Sequence, residues 1–489
     1  MDDHRYAADL RKALRAAGYT VDGVAELLGP TAQAALARNE TAPARRRTGD
    51  GSPLATLIRL FLLQMPVSDS DAERALPQLV DPLCEAGLLK RSGSEVIALL
   101  DCRPYGTEAG DLWVVSDLTP GLDGAPSRVT PDYVLGISPA STSLAQLAIR
   151  RPVQRALDLG TGCGVQAIHL ADHAQQVVAT DINRRALWLA SLNMALNDLP
   201  VDRVDIRYGS YFEPVAGENF DLIVTNPPFV ISPGTGERLT YRDSGLPGDR
   251  VVEHIVRAAP HRLTDGGWCQ IVANWAIKRG TPWDERLAEW LDERCDALVV
   301  QREVLDPTEY VELWLKDAGL HGAADYLDRY DAWLTWFAEQ DIEAVGFGWI
   351  NLRLRRTGVP RRDFLHWPHA IEQPIAATIA QWGDAVTTQV TLDSRLVCRA
   401  DVLRETISEP GAEDPQVITL RQQRGLRRVR NADTVTAGLV GACDGQLTVG
   451  QILDALAELL SLDVEHTRAT YLPVARELVI EGFLEPTGT

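Results

Sequence analysis

A chain of 489 residues, 45% apolar and 24% charged, has the length and composition of a globular protein of several domains. No apolar run reaches the ~18 residues of a membrane helix, and the start Met1-Asp-Asp-His-Arg5 lacks the apolar stretch of a secretion signal, so no membrane partner is expected. A net charge of −20 disfavours sequence-independent binding to nucleic acid, and seven scattered cysteines without a C-x-x-C pair fit neither a disulfide framework nor a zinc site. A cytoplasmic protein with reduced thiols is expected.

In chain order, apolar residues recur at helical spacing over residues 3–17 and 21–36. Residues 41–53, with arginines at 45–47 among Gly, Ser and Pro, predict a loop. Helices are predicted over 54–64, from Ser68 onward behind polar capping residues, and over 79–88. Two β-rich runs follow, 95–100 and 112–116. Helices succeeded by a hairpin predict a winged-helix-like domain over residues 1–128, able to dock on nucleic acid or protein. Residues 117–131, rich in Gly, Pro and Asp, read as a linker, and the segment from Asp132 to Leu144 leads into a second domain, 129–357.

That domain is organised around Ala156-Leu-Asp-Leu-Gly-Thr-Gly-Cys-Gly164. An apolar run ending in Asp158 reads as a buried parallel strand, and the glycines allow a tight turn and close approach of a ligand. A helix from Gln166 and a strand over 177–180 then deliver Asp181. Strand, glycine turn, helix, strand and terminal acid form the ribose-binding half of a doubly wound sheet. Gly160-x-Gly162-x-Gly164 departs from the G-x-G-x-x-G of a pyrophosphate site, so a ligand with a ribose and no pyrophosphate fits better. A helix over 186–196, a strand over 204–208 and the loop Gly209–Pro214 come next. A further buried strand, Phe220 to Thr225, ends in Asn226-Pro227-Pro228-Phe229. The polar, Gly-rich stretch from Ser232 to Arg250 reads as an acceptor-binding lid. A helix over 251–259 and strands over 268–273, 298–304 and 344–354 complete the alternation, the last two as an antiparallel pair. A helical insertion over 310–340 directs its aromatics to the core.

Residues 358–489 form a third domain with helices over 432–442, 449–460 and 464–480, and its ending echoes the first domain, which predicts a second winged-helix-like module. Two arginine clusters, Arg353, Arg355, Arg356, Arg361 and Arg362, then Arg421, Arg424, Arg427, Arg428 and Arg430, either pair with nearby carboxylates or form a docking face for RNA or an acidic protein.

The stretch Asp158–Gly164, Asp181 and Asn226–Phe229, in this order and spacing, resemble the class I S-adenosylmethionine-dependent methyltransferases over roughly residues 132–355. The resemblance implies an α/β fold with a Rossmann-like seven-stranded sheet, flanked here by the helical, winged-helix-like units, and S-adenosyl-L-methionine as cofactor. It implies cofactor contacts from Asp158, Gly160, Thr161, Gly162, Gly164, Asp181, Ile182, Ser210, Tyr211 and Asn226, with Asp181 on the ribose hydroxyls. In the resembling enzymes the segment before the first strand closes over the methionine end, which makes Tyr133, Ser141, Thr142 and Ser143 candidates; an ordinary helix cap is the alternative. The family commonly carries an Asp for the adenine amino group where Ser210 stands, so the backbone or ring of Tyr211 is the substitute. The Asn-Pro-Pro-Phe form is similar to the branch that methylates N6 of adenine, N2 of guanine or the amide of glutamine. Catalytic roles then fall to Asn226 and Pro227, whose oxygens accept the protons of the reacting nitrogen, and to Phe229, which stacks on the planar acceptor. A macromolecular N-methyltransferase is expected. An RNA base stands ahead of a protein glutamine on the strength of Phe229 and the arginines. The acidic charge speaks for protein, as does a lid similar to that of glutamine methyltransferases acting on release factors. A small-molecule biosynthetic methyltransferase and a cofactor-sensing binding protein are the alternatives.

Overall fold

The computed structural model describes residues 4–107, 110–125, 129–200, 202–234, 240–242, 245–320, 322–355, 357–411 and 415–487. The chain divides into two compact units, residues 1–145 with 151–367, and residues 146–150 with 368–489.

The first unit begins with helices and two small antiparallel sheets. Val67–Ser68 (β1), Leu89–Ser92 (β2) and Glu95–Ala98 (β3) pair in the order β1-β3-β2, and Leu100–Thr107 (β4) forms a two-stranded hairpin with Gly110–Asp117 (β5). The expected loop over 41–53 contains a helical turn, Ala42–Arg47, led in by Thr41, whose backbone N–H donates to Asp123 at 2.6 Å. These N-terminal residues do not make a separate core. Leu10, Leu57, Phe61 and Trp113 share one apolar cluster with Val165, Leu189 and Leu192 from two helices of the large sheet.

That sheet is built from Val153–Leu159 (β6), Ala174–Asp181 (β7), Val204–Tyr208 (β8), Phe220–Thr225 (β9), Leu263–Lys278 (β10), Cys295–Leu305 (β11), Ile342–Leu354 (β12) and Arg362–His366 (β13). Its order is β13-β11-β12-β10-β9-β6-β7-β8. The central strands run parallel, which demands cover on both faces and explains continuous apolar runs such as Leu222-Ile-Val224. β12 lies antiparallel between β10 and β11, the pairing expected of the last two strands. The seven expected strands are joined by an eighth, β13, parallel to β11 at the sheet edge. Its sequence, Arg-Asp-Phe-Leu-His, is mostly half-buried and has no apolar alternation to announce it. The insertion holds two helices, Pro307–Asp317 and Tyr326–Glu339, and Tyr310 and Phe337 are buried against Ile342 and Val345, as a core role predicts.

Strand order reverses at β6, whose neighbours are β7 and β9, and connections leaving such a point in opposite directions open a crevice beyond the C-terminal strand ends. Two helices border this crevice, Val165–Ala171 and Arg184–Leu196. Gly164 sets their approach. A Cβ there would lie 2.8 Å from Met194 Cε and 3.2 Å from Ala190 Cα, and its φ of +87° is in the left-handed region.

The second unit carries Arg395–Cys398 (β14), Val402–Ile407 (β15), Val417–Gln422 (β16), Val429–Ala432 (β17), Asp444–Thr448 (β18) and Leu484–Pro486 (β19), in sheets ordered β18-β14-β19 and β15-β16-β17. The three expected helices are present as Thr434–Ala442, Val449–Leu459 and Val464–Ile480, packed through Leu439, Leu453, Leu478 and Phe483. The β15–β17 sheet was not expected, because β15 is polar in its centre and exposed along most of its length.

Gly164→Ala is expected to lower the unfolding free energy by about 3 kcal/mol, from overpacking against Met194 plus a left-handed backbone. At Gly160, where an added Cβ meets nothing within 4 Å, alanine should cost only about 1 kcal/mol. Urea unfolding of both variants checks this, and equal losses would remove the packing role from Gly164.

Candidate functional site

A pocket opens at the switch point, floored by the ends of β6, β7 and β9. The turn after β6 is tied to β7 by Gly160 and Thr161, whose N–H groups both donate to Thr180 O at 2.9 Å. Gly160 and Gly162 have φ of +76° and +55°, and a Cβ at either would meet nothing within 4 Å, so the space beside them is open for a ligand. Gly164, expected beside the ligand, is not among the lining residues; its conformation serves the helix packing described above.

Two carboxylates hold the turn. Asp158, 1% exposed, accepts on Oδ2 from the Thr161 hydroxyl at 2.6 Å and from Ala167 N at 3.0 Å. Burial pushes its carboxyl up to about 7, and the neighbouring charge of Asp181 adds to the shift. Asp181, at the end of β7, accepts from Gly162 N at 2.9 Å and Asn183 N at 2.8 Å, and burial raises its pKa as well. Ile182, 52% exposed, lines the pocket beside it. After β8, Gly209 N donates to Asp181 O at 3.1 Å, and Ser210 and Tyr211 continue the wall. Tyr211 has a φ of +45°, and its ring lies 4.9 Å from that of His254.

β9 ends with the Thr225 hydroxyl donating to Leu159 O at 2.7 Å, which locks it to β6. Asn226 follows, and its Oδ1 is buried without a hydrogen-bond partner among the described residues. An acceptor in that state costs ~1–3 kcal/mol unless a donor reaches it. Pro227 and Pro228 line the pocket. Phe229 does not; it packs edge-on to Trp314, ring centroids 6.2 Å apart, as part of the wall behind.

The roof comes from the segment before β6. Tyr133, Val134, Leu135 and Gly136 line the pocket, and so do Ser138 and Ser141. Thr142 and Ser143 do not line it, and Ser143 Oγ instead accepts from Trp349 Nε1 at 3.0 Å. The lining also includes residues not named as site candidates from the sequence. Gln166 donates to Ser141 O at 2.7 Å, Thr240 donates to Pro131 O at 2.8 Å, and Tyr241 meets Tyr133 edge-on at 5.3 Å. Of the expected lid over 232–250, residues 235–239, 243 and 244 lie outside the described residues.

Both arginine clusters contain ion-paired members. Arg355 pairs with Asp296 and Arg361 with Asp363, while Arg421 pairs with Glu405 and Arg430 with Glu481. Arg356 lies outside the described residues. Among the described residues, no helix is long and apolar enough to cross a membrane.

A family model described as "Methyltransferase small domain" matches residues 136–290, and two models described as domains of unknown function match residues 16–99 and 378–486. A ribosomal protein uL3 glutamine methyltransferase from Bordetella pertussis is 33% identical over 211 residues, 39% of this chain and 68% of the relative. A second protein of that description, from Bradyrhizobium diazoefficiens, is 39% identical over 132 residues, 24% of this chain and 41% of its own. A release factor glutamine methyltransferase from Xylella fastidiosa is 35% identical over 134 residues, 25% of this chain and 47% of its own. The chain thus spans less than half the length of two of these three relatives.

The Asp158 carboxyl should give stability a pH dependence of predictable sign. Its folded pKa of about 7 lies above the ~3.9 of an unfolded chain, so between those values the folded state keeps a proton the unfolded state has lost. Stability is therefore greatest below about pH 4 with respect to this group and falls as pH rises toward about 7, by up to ~2–4 kcal/mol. Both donors reach the same oxygen, so Asp158→Asn can retain them while removing the titration. Urea midpoints between pH 4 and 8 should fall more steeply for the wild-type protein than for Asp158→Asn; parallel profiles would refute a buried, protonated carboxyl.

Proposed function

Because the chain belongs to the class I S-adenosylmethionine-dependent N-methyltransferases, we propose that it transfers a methyl group to the side-chain amide nitrogen of a glutamine in a protein of the translation apparatus. One observation carries the reading from the site: Asn226 Oδ1 is buried at the pocket with no donor to it among the described residues. It is poised to accept from an N–H that arrives with the acceptor. The relatives named above act on ribosomal protein uL3 and release factors, which supports protein glutamine. This reverses the order expected from the sequence, where an RNA base stood first. The two supports for RNA are weakened, since four of the clustered arginines pair with carboxylates and Phe229 has Trp314 beside it.

The pocket fits the cofactor. Gly160 and Gly162 leave open space where a side chain would intrude, Asp181 stands at a strand end as a ribose-binding acid does, and Tyr211 offers a ring at the far wall. When bound, S-adenosylmethionine supplies a methyl group already activated on a sulfonium. The residues of this chain then bind, orient and exclude water. Asp181 accepts from the ribose hydroxyls while its backbone donors keep it in place. An amide nitrogen is a poor nucleophile because its lone pair is delocalised into the carbonyl. Asn226 Oδ1 and the Pro227 carbonyl accept from its hydrogens and favour the pyramidal nitrogen on which the lone pair is localised. This polar aid acts most strongly in the transition state, so it belongs in the rate and not in ground-state affinity.

The flanking parts are read as winged-helix-like modules that present the acceptor protein. Helix 53–57 with its continuation to 62, β1, two helices and the β2–β3 hairpin follow one another with sheet order β1-β3-β2, and a related succession of helices around β18 and β19 ends the second unit.

Tritium-labelled S-adenosylmethionine, incubated with release factor, protein uL3 and total RNA, tests the acceptor. Label should enter a protein and be released as methylamine on acid hydrolysis of the amide; label in RNA, or only in a small-molecule extract, overturns the reading. Two substitutions test the residues. Asp181→Ala should weaken binding of S-adenosylhomocysteine at least tenfold, the loss of charge-assisted hydrogen bonds worth ~1.5–3 kcal/mol. Asn226→Ala should leave that affinity within about twofold while lowering the single-turnover rate roughly 10²–10³-fold. A normal single-turnover rate in Asn226→Ala would count against the planar-nitrogen mechanism.

A further inference from the structure

The β4–β5 hairpin is a two-stranded sheet, and β5 turns its second edge to the Arg184–Leu196 helix, where Asn193 and the C-cap Asn197, one helical turn apart, take the place of a third strand. Asn197 accepts from Trp113 N at 2.9 Å and donates to Trp113 O at 2.8 Å. Asn193 does the same for Val115, accepting from its N–H and donating to its carbonyl, both at 2.8 Å. A carboxamide offers the donor and acceptor of a peptide group, so each side chain satisfies one residue of the strand edge.

The two asparagines differ in their remaining donor. Asn197 Nδ2 returns it to Asn193 O, within its own helix, at 2.9 Å. Asn193 Nδ2 donates to Cys163 O at 2.8 Å, inside the glycine turn that floors the pocket. Asn193 is fully buried, and both N–H groups and the oxygen of its amide are engaged. The end of the same strand reaches the roof: Asp117 N donates to Val134 O at 3.2 Å, Val134 N donates to Asp117 Oδ2 at 2.7 Å, and Arg185 Nε holds both carboxylate oxygens at 3.0 Å. One strand outside the catalytic sheet thus fixes pocket floor and pocket roof.

We propose that Asn193 is a positioning residue for cofactor binding, through which the β4–β5 hairpin sets the conformation of the glycine turn. The proposal rests on the reading of this pocket as the cofactor site. Asn193 touches no substrate; it acts through Cys163 O, and coupling of this kind is reciprocal, so cofactor binding should in turn steady β5. Asn197 is the internal control, because its loss removes a matching pair of hairpin bonds and leaves the glycine turn alone.

The test uses the full chain and S-adenosylhomocysteine, titrated by calorimetry. Asn193→Ala should raise the dissociation constant about tenfold, the effect of one buried carbonyl left unpaired. Asn193→Asp, which still accepts from Val115 N and cannot donate to Cys163 O, should weaken binding to a similar extent. Asn197→Ala should bind within about twofold of wild type despite comparable loss of thermal stability, and methyl transfer by Asn193→Ala at saturating cofactor should remain within about threefold. Equal affinities in the Asn193 and Asn197 variants overturn the proposal. Should the Asn193 variants not fold, hydrogen exchange on the wild-type chain decides: S-adenosylhomocysteine should slow exchange of the Val115 amide at least fivefold with no change at Val96 in β3, and an unchanged Val115 amide overturns the coupling. A wild-type chain that takes up no S-adenosylhomocysteine overturns the cofactor reading instead.

Discussion

Asp158 Oδ2 receives two hydrogen bonds, from the Thr161 hydroxyl and from Ala167 N, and the geometry of the site follows from them. The helix Val165–Ala171 begins at Gly164, which has no side chain to cap it. Gly164 cannot be replaced by a capping serine or aspartate, because Met194 and Ala190 occupy the space a Cβ needs. The N–H of the third helical residue would be left without a partner. Asp158 supplies the acceptor from the strand instead, so a single oxygen closes the turn, caps the helix and leaves Gly160 and Gly162 facing open space. The arrangement trades a local cap for a carboxylate in the core, where its charged form is disfavoured and its pKa rises to about 7.

Asp181 compounds that cost. It stands close enough to Asp158 for its charge to raise the neighbour's pKa, and it is itself raised by burial. Two acids at the floor of one pocket are held there by backbone N–H groups and a hydroxyl, with no arginine or lysine among the described residues that line it. Hydroxyl donors and positive charge brought into the pocket would offset the cost of burying these carboxylates. Catalytic pockets are places where such unfavourable burial is retained, because a relaxed site would have less to gain from its ligand.

Much of this was legible in the sequence. The central strands are short apolar runs ended by chemistry-bearing residues, Asp158, Asp181 and Asn226, and a parallel sheet buried on both faces leaves just that record. What the sequence hid was distance across the chain. Gly160, Gly162 and Gly164 read alike, and only the approach of Met194 separates the glycine of a helix contact from those of a ligand contact. Phe229 reads as a stacking ring, and the Trp314 that meets it edge-on lies 85 positions further along the chain. Ser141 and Ser143 differ by half a helical turn, and that rotation sends one to the pocket and the other to Trp349. The N-terminal helices have the periodicity of an independent module, yet their core runs on into Val165 and Leu189, since periodicity tells which face is apolar and not what covers it. The polar strand β13 and the polar centre of β15 left no pattern to read.

The same long-range logic governs the chain after Asn226. Val230 N donates to Arg242 O at 3.2 Å, and Ile231 N donates to the Tyr310 hydroxyl at 2.8 Å, so the backbone leaving the motif is held by partners from two other segments. Arg242 is 7% exposed, a position no guanidinium tolerates without acceptors. It donates to Trp314 O at 2.8 Å and lies 3.4 Å from Asp317, which also accepts from the Tyr241 hydroxyl at 3.0 Å. All of these acceptors belong to the helix Pro307–Asp317. The insertion is therefore more than added core. It anchors Tyr241 and Arg242, the first of which lines the pocket. Tyr241, part of the pocket wall, is thus positioned by residues that no local motif contains.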